Sequence, residues 1–195
     1  MTCFDNYFDD TRFNLPTYHL SCKHRESDEC HEAVPYLRFI YEHYEDLEGK
    51  IFFVHGHEYS WHYPQSVFQL VKQRMKSKQF KNDPFGSLTY WQVQTHIPWQ
   101  IEGRFTELFN DIFYNTTMMK FKDIQSYQFY CCASFFVDAN NFKIRPRYEY
   151  KLFIDRLINY SHHHSNPAYY CGRIMEYTWQ LVLNEQTHVY FDNSE

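Results

Sequence analysis

The stretch YQFYCCASFFV, Tyr127–Val137, is the strongest strand candidate in the chain, and its reading decides the fold class. It is followed by Pro146, which starts a helix carrying Phe153, Ile154, Leu157 and Ile158. Upstream, the short apolar run Ile51–Val54 is closed by His55-Gly56-His57, and reads as a buried strand that follows a helix. That helix has Leu37, Ile40, Tyr41, Tyr44 and Leu47 at helical spacing, Ser27 and Asp28 as caps, Pro35 in its first turn and Gly49 as its stop. Pro64 opens a second helix with Val67, Leu70, Val71 and Met75 on one face. Phe105, Leu108, Phe109, Ile112 and Phe113 mark a third, and Tyr169–Leu183 reads as a fifth. Between these, Thr17–Cys22 is expected to be a short strand, residues 82–101 a long structured loop and residues 161–167 a turn. The expected architecture is α/β, a small buried sheet covered by about five helices. It forms a single globular domain over residues 1–195, with an N-terminal extension (1–16) and an acidic tail (184–195).

Composition bounds the function. With 18 Tyr and 19 Phe, a chain of 195 residues has enough apolar area for a substantial core. A net charge of -5 excludes nucleic-acid binding through overall charge, but the charge is uneven. Lys72, Arg74, Lys76, Lys78 and Lys81 follow one another with no acid among them, whereas Glu176, Glu185, Asp192 and Glu195 follow Arg173 with no Lys or Arg. The sequence shows no export signal and no run of about 18 apolar residues, so a cytoplasmic protein without a membrane span is expected. The six cysteines, Cys3, Cys22, Cys30, Cys131, Cys132 and Cys171, are then expected to be reduced, with Cys131 and Cys132 pointing to opposite faces of a strand.

Several clusters are candidates for chemistry. His55, His57 and His62 follow a strand at a spacing that zinc can use, but no fourth ligand is evident, so a structural polar cluster is expected. Arg173 and Glu176, three apart on one helical face, are expected to form either an intrahelical ion pair of modest value or a buried polar anchor for the loop that holds these histidines. Asp28, Glu29, Glu32 and Glu58 can supply a carboxylate pair, though no spacing singles out an acid and a base. His162, His163 and His164 read as a solvated turn, and Cys22, His24, Cys30 and His31 have looser metal-like spacing. The basic series from Lys72 to Lys81 is the best RNA-binding candidate, extended by Arg145, Arg147 and Lys151. Tyr90, Trp91 and Trp99 are candidate protein contacts. No cofactor or metal is expected, since the strand at 51–54 ends in Gly-His and divalent metal on a diphosphate takes carboxylate oxygens.

Four stretches carry a resemblance: EAVPYLRFIYEHYEDL (Glu32–Leu47), IFFVHGHEYSWH (Ile51–His62), YCCASFFVDANNFKIRP (Tyr130–Pro146) and GRIMEYTW (Gly172–Trp179). In order and spacing they resemble an uncharacterised eukaryotic domain of fungi and algae. Longer members of that domain open like nucleotide-sugar transferases, which implies a reduced glycosyltransferase-like fold. The chain is also similar to the microsporidian dormancy factors found on idle ribosomes. That resemblance implies a monomeric, non-catalytic ribosome-binding factor. It would fill the tRNA exit site of the small subunit, touch rRNA and ribosomal proteins there, and suppress translation. The competing expectation is a nucleotide-sugar-dependent glycosyltransferase-like enzyme or its degenerate descendant.

Overall fold

Phe135, Phe136 and Val137 alternate between the two faces of one strand, and that alternation organises the molecule. The structure is a computed structural model that describes residues 10–20, 30–60, 65–89, 92–93, 105–121, 129–130, 132–163 and 167–185. Its elements in chain order are α1 (Ala33–Glu42), β1 (Lys50–Phe53), α2 (Val67–Lys76), α3 (Lys78–Asn82), β2 (Phe85–Ser87), β3 (Gln92–Val93), α4 (Phe105–Phe113), β4 (Phe129–Tyr130), β5 (Phe135–Asp138), α5 (Arg147–His163) and α6 (Pro167–Asn184). The fold is mixed α/β, as expected, and mostly helical.

The central strand β5 pairs antiparallel with β1 on one side and β2 on the other; Phe136 sits opposite Phe52 and Gly86. A separate two-stranded ribbon joins β3 and β4. On one face of the three-stranded sheet, Phe53 and Phe135 lie 5.1 Å apart between ring centroids, against Tyr36 of α1 and Trp179 of α6. This is the main core, completed by α4 and α5 through Phe109, Phe113, Phe153 and Leu157. On the other face, Phe52 and Phe136 meet Phe80 of α3, and a smaller cluster of Val67, Phe68, Leu70, Val71 and Leu88 seats α2. Helices therefore cover both sides of a short antiparallel sheet.

Local chemistry sets the boundaries. Ser66 caps α2 with a reciprocal box, its Oγ accepting from the Gln69 backbone N–H while the Gln69 side chain accepts from the Ser66 N–H. The helix thus starts after Ser66 rather than at Pro64. Residues 82–101 are not one loop, because Phe85–Ser87 pairs with β5. Gly86 is required there, since a Cβ would lie 2.5 Å from the Phe136 ring. The expected strand at Thr17–Cys22 is absent over residues 17–20, and the end of that segment lies outside the described residues. The long strand read over Tyr127–Val137 is interrupted: Cys132 adopts a positive φ of 78°, which separates β4 from β5. The turn expected from residue 161 is instead the last part of α5, which runs to His163.

The expectation of reduced thiols is also corrected. Cys30 and Cys171 form a disulfide that joins residues 141 apart in sequence, and Cys132 is disulfide-bonded as well. Both Cys30 and Cys171 are fully buried. Closing so long a loop removes much of the unfolded chain's freedom, so Cys171→Ser is expected to lower stability by about 2–5 kcal/mol. Urea unfolding of the oxidised protein and of the variant measures the difference.

Candidate functional site

The buried disulfide places two short segments side by side. Cys30 is followed by His31 and Glu32 at the entrance to α1, while Cys171 is followed by Gly172 and Arg173 in the second turn of α6. His31 adopts a positive φ of 54°, and its ring lies against Gly172 so closely that a Cβ there would sit 2.4 Å from His31 Cδ2. Gly172 is thus the residue that lets the two segments approach. One helical turn on, Arg173 Nη1 donates to Glu176 Oε2 at 2.7 Å. The pair expected from the sequence is present, and it lies in a buried polar cluster rather than on a solvated face.

β1 delivers the histidines to the same region. His55 is 5 % exposed and His57 is half-buried, their rings stacked with centroids 5.2 Å apart. Glu32, 2 % exposed, acts electrostatically on His55, His57 and Glu176, so it is the hub of the cluster. Burial lowers the His55 imidazole to about 4; the negative charge of Glu32 opposes that shift and His57 adds to it. Burial also lowers His57. Burial raises the Glu176 carboxyl to about 7; the neighbouring charge of Glu32 adds to the rise and Arg173 opposes it. At neutral pH His55 is therefore a neutral ring, while Glu176 exchanges its proton near the working pH of a general acid or base.

The other sequence-predicted residues fall elsewhere. Of the carboxylates named from the sequence, Glu58 receives Arg12 Nη1 on both oxygens at 3.0 Å. Among the described residues no group of three or more His, Cys, Asp or Glu side chains could hold a metal ion. His62, His24, Cys22, Asp28, Glu29, His164, Tyr90, Trp91 and Trp99 lie outside the described residues.

Lys72, Lys76, Lys78 and Lys81 are exposed on α2 and α3, with Arg74 half-buried. Arg145 is corrected: it is fully buried and cannot extend that surface. Its Nε donates to Val182 O at 2.8 Å and its Nη2 to Leu181 O at 2.7 Å, closing the last turn of α6, and Glu185 lies 3.2 Å away. Arg147 is exposed but covers the ring of Tyr41 in α1 and donates to Tyr41 O, and Lys151 pairs with Asp155. Both belong to the α1–α5 side, so the sheet separates them from the basic series on α2 and α3.

Sequence reasoning missed the hub role of Glu32. The usable signal was a carboxylate at the first buried position of an otherwise apolar helix start, since a buried acid without a role is rare.

The chain belongs to the family described as "Protein of unknown function (DUF3431)", whose model matches residues 7–195. No curated protein and no solved structure matches it.

The two shifted groups give opposite pH signatures. The folded state holds a proton on Glu176 more tightly than the unfolded chain does, so its contribution to stability is present below about pH 4.5 and is lost as pH rises through about 7. Folded His55 rejects a proton that the unfolded chain takes, so its contribution is present above about 6.5 and is lost as pH falls through about 4. Glu176→Gln is therefore expected to gain stability relative to wild type as pH rises between these limits, and His55→Gln to gain as pH falls. Each slope approaches about 1.4 kcal/mol per pH unit. Urea unfolding over a pH series of the two variants reads both slopes.

Proposed function

We propose that the chain is a group-transfer enzyme of the glycosyltransferase kind, with Glu176 of α6 as its proton acceptor. The observation that carries this reading is the gathering of buried Glu32 and partly buried Glu176 in one cluster with His55 and His57, where one of the acids exchanges its proton near neutrality. In the step envisaged, an acceptor hydroxyl oxygen forms a bond to the anomeric carbon of a nucleotide-sugar donor. The bond from that carbon to the diphosphate oxygen breaks, and its electron pair leaves with the nucleoside diphosphate. The hydroxyl proton passes to ionised Glu176. Arg173, 2.7 Å from Glu176, favours the ionised form, and the charge of Glu32 favours the protonated one. The two influences bracket the proton affinity that a base for a sugar hydroxyl needs. His57, only half-buried, is the imidazole of the pair that reaches towards solvent.

The disulfides support an oxidising compartment in place of the cytoplasmic location expected from the sequence. Among the described residues no helix is long and apolar enough to cross a membrane. Occupation of the ribosomal tRNA exit site is the second reading. The exposed lysines of α2 and α3 favour it, and buried disulfides weigh against residence in a thiol-reducing cytosol.

Calorimetry with uridine and guanosine diphosphate sugars, with and without manganese, is expected to show binding of at least one donor. Turnover of that donor is expected to fall by roughly 10²- to 10⁴-fold in Glu176→Gln. An absence of heat with every donor, together with co-sedimentation of the protein with ribosomes at low salt, would replace this reading with the second one.

A further inference from the structure

The outer surface of α2 and α3 carries a row of positive charge that no part of the fold uses. Lys72, Lys76, Lys78 and Lys81 are exposed. Between Glu58 and Asp83 the chain has no carboxylate, and among the described residues none of these four lysines has an ion-pair partner. The inner surface of the same helices is fully engaged: Val67, Phe68, Leu70 and Val71 are buried, and Phe80 stacks on Phe52 at 5.1 Å and 9°. Arg74, the one member of the series that is half-buried, is held by Gln79 across the α2–α3 junction. The lysines therefore stand on a rigid platform and face solvent.

One end of the helix pair is tied to the segment that carries His57. The Val67 backbone N–H donates to Glu58 O at 2.8 Å, which ties the start of α2 to the residue that follows His57. From there α2 runs for 10 residues, about 15 Å, before α3 continues the charge. The row thus extends over a length that suits a linear polymer rather than a single small anion.

We propose that this surface binds the acceptor of the transfer reaction, and that the acceptor is a polyanionic glycan bearing sulfate or carboxylate groups; the assignment of an acceptor rests on the group-transfer reading above. Lysine ammonium groups are compact point charges that match dispersed anionic groups without demanding a fixed fork geometry. RNA is the competing polyanion. Its single strands bind on stacking rings, and the ring within this series, Phe80, is already committed to Phe52, while the apolar side chain exposed among the lysines is Met75, at 37 %. Buried disulfides further favour a compartment in which the abundant polyanions are glycans.

Disulfide-intact protein is titrated with a sulfated heparin octasaccharide, a neutral oligosaccharide of equal length and an RNA of matched charge, each over a range of salt. The sulfated glycan is expected to bind, with affinity falling linearly in log salt, and the neutral one is expected not to. The combined variant K72Q/K76Q/K78Q/K81Q is expected to lose at least about tenfold in affinity. Its thermal midpoint should stay that of wild type, because the four side chains are exposed. Absence of glycan binding, equal binding by the combined variant, or tighter binding of the RNA overturns the proposal. Glycan binding without turnover of any donor removes the transferase reading and leaves the surface in place.

Discussion

The bond between Cys30 and Cys171 is the constraint on which the polar cluster depends. It connects the entrance of α1 to the second turn of α6 and so sets Glu32 beside Arg173 and Glu176, residues the chain otherwise separates by more than two-thirds of its length. Burying two carboxylates together opposes folding, because each loses hydration and each repels the other. Such an arrangement persists only when the surrounding structure over-determines it. Here the disulfide, the contact of His31 with Gly172 and the aromatic core under Trp179 supply that determination. The same logic explains why His55 stays neutral: its place is fixed by β1 and the core, and the proton affinity of the ring adjusts to that place.

The sheet divides the molecule chemically as well as geometrically. Strand alternation sends Phe53 and Phe135 towards α1 and α6, and Phe52 and Phe136 towards α3. Each face thereby acquires its own helical cover, and each cover its own exposed chemistry. The α1–α5 side presents mixed charges that neutralise one another, as Lys151 does with Asp155 and Lys143 with Glu45. The α2–α3 side presents cations of one sign. A net negative chain can therefore carry a positive surface, because sequence-wide charge is a sum and recognition depends on local placement.

What the sequence made legible follows from the range of the interactions involved. Helical faces such as Leu37, Ile40 and Phe153, Leu157 are periodic over one or two turns, and the buried run at Ile51–Val54 announces itself locally. β2 did not, because Pro84 and Gly86 read as loop signals. Gly86 is there for the opposite reason, to admit the ring of Phe136 from the neighbouring strand. Arg145 read as a surface cation beside Arg147 because nothing local reveals that its guanidinium closes the end of a helix almost 40 residues later. The Arg173–Glu176 pair was readable at three-residue spacing. Spacing alone does not choose between a surface pair and a buried anchor, since burial comes from Cys30, Glu32 and His55 elsewhere in the chain.

The cysteines show most sharply how a non-local fact changes a functional reading. From the sequence the six thiols are expected to be reduced, and the ribosomal partner rests on a resemblance alone. The pairing of Cys30 with Cys171 corrects the expected thiol state, while the exposed lysines remain as they were. A positive helical face selects for polyanions as a class and does not choose among them. The choice falls to whatever else the fold requires. A buried disulfide closing a loop of 141 residues contributes fully only where thiols oxidise, so the bond that assembles the polar cluster is also what favours a glycan over RNA in the proposal above.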